Sequence, residues 1–461
     1  MFNLGDVLTG TGGRRVAGRA AATFHGVAID SRAISPADLF AAFRGAQRDG
    51  HSFVSEALEG GAAGALVDRL PEGAPWASGE WSGAPVVLCH DTGQALQDLA
   101  HYWRRQHPVT VIGVTGSVGK TSTKELIADV LAQRFSVLRT RANLNTDVGV
   151  PLALMQLDEH GVAVLEMAMN DLGDIRRLAR LAEPRIGVVT NVQPSHLERL
   201  GTIERIAEAK SELVQELPED GIAVLNADDE RVRAMEAQSA ARVVTYGLSS
   251  AADVTARDVR SHGLLGIDFT ARYHGQDLPG HAPLPGAHFV HAALAAIAVA
   301  VQMGFSFEEA VAALGRVERG GRVVVVEGLR GSTILDDCYN ANPASMLAAL
   351  DLLHEMEGRR VAVLADMLEL GSFEVEGHRV VGQRAAAVVD WLITVGERAR
   401  IIADEAREAG LDERSVESFA NNAAAVDRLQ RGLQRGDFVL VKGSHGMQMD
   451  EVVNAIRTAA A

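Results

Sequence analysis

The chain has only two cysteines among its 461 residues, Cys89 and Cys338. They lie far apart and lack metal-ligand spacing, which argues against a disulfide framework and for reduced thiols in a reducing compartment. Basic residues are in deficit, 44 against 60 acidic, for a formal charge of -16. An acidic surface of this kind repels a phosphate backbone, so no nucleic-acid partner is expected. No apolar run approaches the roughly 18 residues of a membrane span, and the opening MFNLGDVLTG lacks a basic stretch followed by an apolar core. Neither membrane insertion nor export is expected, and the expected location is the cytoplasm. Low-complexity tracts are missing, as are repeats of about 20 to 50 residues, which argues against a solenoid.

What remains is the composition of a folded protein, 47% hydrophobic and 23% charged. The length is too great for one core and suggests about three domains at roughly 100 to 200 residues each. Patterning places them at residues 1–106, 107–318 and 319–461. The first holds short apolar strands near GVAID, Ala65-Leu66-Val67 and Val86-Val87-Leu88, and a helix ALQDLAHYWRRQ before Pro108. In the second, continuous apolar strands (VTVIGV, GVAVLEM, IGVVTNV) alternate with helices, the signature of a parallel sheet covered on both faces. This predicts a doubly wound α/β domain. Residues 243–285 read as irregular and precede the alanine-rich helix HAALAAIAVAVQM. The third block repeats the α/β logic through STILDDCYN, VAVLADM, LITVG and DFVLVKGS, as a smaller Rossmann-like unit.

The strongest chemical signal is Gly113-Val-Thr-Gly-Ser-Val-Gly-Lys-Thr121, between an apolar strand and a helix. Glycines there let backbone N–H groups turn inward around an anion, and the helix N-terminus adds its partial positive charge. Thr115, Gly116, Ser117, Val118, Gly119, Lys120, Thr121 and Ser122 are therefore candidate ATP-binding residues, with Lys120 on the β- and γ-phosphates and the Thr121 hydroxyl on Mg²⁺. Val114 stands where the general pattern has glycine, so the loop is a variant. A guanine reader is absent, because the corresponding strand ends Thr190-Asn191-Val192-Gln193. Glu166 falls at the carboxyl end of its strand and is a candidate Mg²⁺ ligand. On residue type alone, His196 fits a structural role as well as a metal-binding one, and Lys210 fits an ordinary solvated helix lysine.

Taken together, TGSVGKTSTKE (115–125), NLNTDVGVP (143–151), Glu166, NVQPSHLERLGT with AKSEL, DDCYNANPASM (336–346), VAVLADMLELG (361–371) and VLVKGS (439–444) resemble the Mur ligases along nearly the whole chain. The Tyr339-Asn-Ala-Asn-Pro343 segment matches the member that joins D-alanyl-D-alanine to UDP-N-acetylmuramoyl-tripeptide, and the Asp-Asn-Pro-Arg signature of the ligase that adds the third residue is absent.

The resemblance implies a UDP-binding N-terminal α/β domain, a central P-loop ATPase domain, and a Rossmann-like C-terminal domain that closes over ATP and the amine. It implies an acyl-phosphate intermediate and catalytic roles for Lys120, Glu166, His196 and Lys210. It also implies two Mg²⁺ ions held by Thr121, Glu166, His196 and Lys210, the last as a CO₂-derived carbamate on a partly buried amine of lowered pKa. Ser31, Arg32, Phe43, Arg44, Gly45, Asp49 and His51 would meet the uridine nucleotide. Asn143, Arg322, Asp337, Tyr339 and Asn340 would meet ATP, and Asn145 and Asn342 the substrate. A monomer is expected. The chain departs from the family pattern at Phe289 and Ala292, where asparagines are usual, at His445 for arginine, at Ala168 for glycine and at Thr146 for asparagine. Two other readings stay open: a related ligase acting on another carboxylate, and a nucleotide-binding regulator that has lost ligation.

Overall fold

A computed structural model describes residues 1–45, 48–70, 76, 83–141, 144–195, 197–318 and 323–458. Three large sheets carry the architecture. The first has five strands in the order Arg14–Ala17, Val86–Leu88, Gly64–Val67, Asp38–Ala41, Gly26–Ala28, all parallel except the first.

The central sheet has nine strands. From one edge they run Val137–Arg139, Val162–Glu166, Thr110–Thr115, Ile186–Val189, Ile222–Asn226, Arg242–Gly247 and Val254–Ser261, all parallel. Ile267–Tyr273 and Gln276–Ala282 then complete it antiparallel. The Thr110–Thr115 and Val162–Glu166 strands are buried almost throughout, because helices such as Lys120–Leu131 and the alanine-rich Val290–Gln302 cover the faces. Register sets Glu166 beside Val114 and Val189 beside Thr115, so the ends of three strands converge on the glycine loop.

The antiparallel extension corrects the expectation of an irregular stretch at residues 243–285. Its strands are half-buried: Ile267, Phe269 and Ala271 face inward and their neighbours outward, a period-2 pattern that a search for continuous apolar runs passes over. His274 and Gly275 join the last two strands, both with positive φ (47° and 80°), as a two-residue hairpin turn requires.

The third sheet has six strands in the order Val324–Glu327, Thr333–Asp336, Phe438–Lys442, Arg360–Ala365, Trp391–Val395, Val416–Phe419. Only the first is antiparallel. It has a separate apolar cluster on each face. The first block, by contrast, shares a core with the central one: Phe2, Val7, Leu39, Leu99 and Trp103 lie in the same cluster as Val111, Leu154, Leu165 and Leu213. The helix Thr92–Arg105 makes the joint, Trp103 Nε1 donating to Leu157 O (3.1 Å) and Arg104 Nε to Ala182 O (2.9 Å). Among the described residues no helix is long and apolar enough to cross a membrane.

Because that core is continuous, Leu99→Ala, at a fully buried position, is expected to cost about 2–5 kcal/mol. Urea unfolding should show the first and central blocks melting in one transition. A separate early transition for the first block would contradict the shared core.

Candidate active site

The loop between the Thr110–Thr115 strand and the Lys120–Leu131 helix has the conformation its glycines permit. Gly116 (φ 150°) packs so closely on Thr190 that a Cβ would collide with the Thr190 hydroxyl, and Gly119 (φ 82°) sits at the helix N-cap. No side chain caps this helix, which leaves first-turn N–H groups available to an anion. Lys120 Nζ folds back over the loop, donating to Gly116 O (2.9 Å) and Ser117 O (3.3 Å).

Around this loop the candidates of the central sheet gather. The Thr121 hydroxyl donates to Glu166 Oε2 (2.8 Å), and Asn145 Nδ2 donates to Glu166 Oε1 (2.9 Å). Glu166 is buried, and its backbone N–H donates to the Thr140 hydroxyl (3.1 Å). Thr115 and Ser122 are also buried, Thr115 Oγ1 donating to Met167 O (2.9 Å). Lys210 is only 2% exposed. Burial first, and the nearby positive charge of Lys120 second, hold its amine well below the ordinary lysine value of 10.5. His196, Asn143 and Arg322 lie outside the described residues.

A brace for the loop escaped the sequence reading. Thr190 Oγ1 and Asn191 Nδ2 donate to Val118 O (2.7 and 2.9 Å), Val118 N donates to Asn191 Oδ1 (2.9 Å), and Ser117 Oγ donates to Gln193 O (3.0 Å). On sequence, Thr190–Gln193 has no role beyond the absent guanine reader and the family-like NVQPSHLERLGT stretch. Their place at the carboxyl end of the neighbouring strand was the signal for a structural part in the same loop.

The C-terminal unit faces this array across a cleft of about 510 Å³, lined by the glycine loop, Asn145, Glu166, Arg177 and Arg199 on one side and by Tyr339, Asn340, Asn342, Ser345, Ser444 and His445 on the other. Tyr339 is 40% exposed and its ring stacks on His445, centroids 5.9 Å apart. Asp337 sits beneath this wall, its carboxylate accepting from the buried Lys442 Nζ (2.6 Å), which also donates to Asn340 O (2.9 Å). That buried pair fixes the loop carrying Tyr339 and Asn340. Asn342 lines the cleft and caps the Pro343–His354 helix through Ser345 N (2.9 Å). The units touch where Glu198 N donates to Glu369 O (3.3 Å).

The remaining candidates cluster in the first sheet and do not line this cleft. Arg44 pairs with Asp68 (2.8 Å) and bridges to Asp49 through the backbone. His51 is buried, which pushes its imidazole down. It accepts Asp68 N–H at Nε2 (3.1 Å) and so donates from Nδ1 to Asp49 (2.7 Å). Phe43 O accepts Gly50 N–H (2.7 Å) and Gly45 N donates to Arg48 O (2.9 Å), closing the turn. Ser31 and Arg32 lie in the short turn Ser31–Ala33, Ser31 half-buried and Arg32 exposed and paired with Asp30 (2.7 Å). Of the departures from the family pattern, Phe289 and Ala292 are buried in the central apolar cluster, and Thr146, Ala168 and His445 line the cleft.

Among the described residues no three His, Cys, Asp or Glu side chains are arranged to hold a metal ion. The set Thr121 and Glu166 is instead a hydroxyl and one carboxylate beside a phosphate loop, the all-oxygen, partial donor set that Mg²⁺ takes together with nucleotide phosphates and water.

Comparison with known proteins bears on this site. A profile described as Mur ligase middle domain matches residues 114–300, one described as Mur ligase, glutamate ligase domain matches 321–445, and one described as Mur ligase family, catalytic domain matches 23–104. The UDP-N-acetylmuramoyl-tripeptide--D-alanyl-D-alanine ligase of Bacillus subtilis is 36% identical over 93% of this chain and 92% of its own. The crystal structure of MurF from Acinetobacter baumannii covers 98% of both chains with a TM-score of 0.85 at 28% identity. MurF ligase from Thermotoga maritima in complex with ADP covers 94% of this chain and 96% of its own, with a TM-score of 0.78 at 27% identity.

The buried Lys210 has a consequence for stability. With its folded pKa below its unfolded value, the unfolded chain binds the proton more tightly, so the penalty is largest at low pH and fades as pH rises toward 10.5. Lys210→Met in CO₂-free buffer is therefore expected to raise Tm near pH 7, with the gain shrinking toward pH 10. A lowered Tm at pH 7 would contradict the assigned burial cost.

Proposed function

The chain belongs to the Mur ligase family, and from that premise we propose that it uses ATP to join D-alanyl-D-alanine to the terminal carboxylate of UDP-N-acetylmuramoyl-tripeptide. The observation that carries this reading is the cleft itself, which sets a phosphate loop and Glu166 on one wall opposite the Tyr339–Asn342 segment on the other.

The chemistry asks that a carboxylate approach a triphosphate, two anions that repel. Lys120 and the first-turn N–H groups neutralise charge on the terminal phosphate, and such preorganised charge is the largest part of phosphoryl-transfer catalysis. Thr121 and Glu166 are the residues that would hold Mg²⁺, which when bound supplies further neutralisation of the phosphates. The carboxylate attacks the γ-phosphorus and ADP leaves. The amine of D-alanyl-D-alanine then attacks the acyl carbon, and phosphate departs. The acyl phosphate must be kept from water, which a cleft walled by two units supports.

The sites and domains follow the same reading. Residues 1–106 hold the uridine nucleotide, with Ser31, Arg32, Phe43, Arg44, Gly45, Asp49 and His51 as its contacts. Residues 107–318 form the ATPase domain, and 319–461 the unit that brings Tyr339, Asn340 and Asn342 to the substrates. Lys210 carries a carbamate: its buried amine is readily neutral, and a neutral amine adds to CO₂ with loss of a proton. The carbamate and His196 then serve a second Mg²⁺. The same reading takes the protein as a monomer, and the nucleotide substrates support a cytoplasmic location.

Phosphate release from ATP is expected only when UDP-N-acetylmuramoyl-tripeptide and D-alanyl-D-alanine are both present. Lys120→Ala should lower kcat/KM by roughly a hundredfold to a thousandfold. Release independent of the acceptor would favour a nucleotide-binding regulator, and release with another acid in place of the tripeptide a different ligase.

A further inference from the structure

Three lysines rank among the largest fully buried side chains: Lys124, Lys210 and Lys442. Lys210 and Lys442 have parts in the site above, whereas Lys124 touches no cleft surface and is 0% exposed. Burying an ammonium is costly unless every proton is used. Lys124 Nζ donates to Thr140 O (2.5 Å) and pairs with Glu125 Oε1 (2.6 Å). Glu125 in turn pairs with Arg139 (2.7 Å), which also reaches Asp129 (2.6 Å). Burial alone would raise the Glu125 carboxyl. Hydrogen bonds from Lys124 and Arg139 outweigh it and hold the group below its ordinary value.

The carbonyl that Lys124 grips belongs to the residue that positions Glu166. Thr140 is itself 0% exposed and follows the edge strand Val137–Arg139. Its N–H donates to Val164 O (3.2 Å), and its hydroxyl accepts the Glu166 N–H (3.1 Å). Glu166 Oε2 then accepts from Thr121 (2.8 Å), three residues before Lys124 on the same helix. The contacts therefore close a ring: Thr121 to Glu166, Glu166 to Thr140, Thr140 to Lys124, and back along one helical turn. Five residues beyond Thr140, Asn145 holds the other Glu166 oxygen (2.9 Å), so the same anchor starts the segment that carries that contact.

We propose that Lys124 is a positioning residue which, through Thr140, holds Glu166 opposite Thr121 and so sets the divalent-cation affinity of the nucleotide site. This rests on the reading of Thr121 and Glu166 as the Mg²⁺-binding pair. The buried cation acts through hydrogen-bonded protein groups and never touches nucleotide. Partners that orient metal ligands typically account for roughly a tenfold to hundredfold change in metal affinity or activity.

The test uses the full chain and measures ADP affinity with and without Mg²⁺ by titration calorimetry, alongside the Mg²⁺ dependence of ligation. Lys124→Met keeps the length of the stem and removes the donor. It is expected to reduce the Mg²⁺-dependent gain in ADP affinity roughly tenfold or more and to raise the Mg²⁺ concentration needed for half-maximal rate, while metal-free ADP affinity stays within about twofold. Thr140→Val, which removes only the hydroxyl that accepts from Glu166, should give the same shift. The double variant should add little, as for residues in one network. If Lys124→Met does not fold, Lys124→Gln, whose shorter amide draws back from the Thr140 carbonyl, takes its place with the same expected shift. A lowered Tm with unchanged Mg²⁺ dependence in either variant would overturn the proposal and leave Lys124 a core residue only. Wild-type protein whose ADP affinity does not respond to Mg²⁺ would instead sink the Thr121–Glu166 reading on which it rests.

Discussion

The hydrogen bond from the Thr121 hydroxyl to Glu166, 2.8 Å long, ties the first turn of the phosphate helix to the end of the neighbouring strand. The surrounding structure is arranged to keep it. Parallel register puts Glu166 level with Val114, one residue before the end of its strand. Asn145 occupies the second carboxylate oxygen, and Thr140 holds the backbone beneath. A carboxylate held at both oxygens, on a backbone pinned at its N–H, is kept at Thr121 and away from Lys120, whose ammonium lies over the loop carbonyls, and the hydroxyl-carboxylate edge faces a hard cation.

Opposite charges are handled differently on the two walls of the cleft. On the central wall, Lys120 and Lys210 lie near enough for one to depress the other's pKa. A substrate anion relieves that repulsion, and so would conversion of the Lys210 amine to a carbamate. On the C-terminal wall, Lys442 is neutralised inside the protein by Asp337. Its charge is therefore spent on shaping the loop that presents Tyr339 and Asn340. The result is a central wall on which two lysines repel, facing a C-terminal wall whose buried lysine is neutralised from within.

Much of this was legible in the residues. Continuous apolar strands alternating with helices gave the central parallel sheet, and the spacing from Gly116 to Thr121 gave the phosphate loop, because both follow from local geometry. The antiparallel extension was missed because Ile267, Phe269 and Ala271 alternate with outward residues and form no apolar run. The individual bonds of the Thr190–Gln193 brace and the Lys124–Thr140 anchor were not legible for another reason. Their partners are 72 and 16 residues away in sequence, and a buried lysine cannot be told from a solvated one until the fold places it. The same applies to the shared core across Pro108, which short strands and a single amphipathic helix do not announce.

The central claim is that the terminal phosphate of a nucleotide bound at Lys120 passes to the peptide acid before the amide forms. Tripeptide labelled with oxygen-18 in its terminal carboxylate tests this directly when turned over with ATP and D-alanyl-D-alanine. The account predicts that each phosphate released carries one labelled oxygen derived from the acid. Unlabelled phosphate, with the oxygen lost from the acid recovered in water or in the nucleotide, would contradict it.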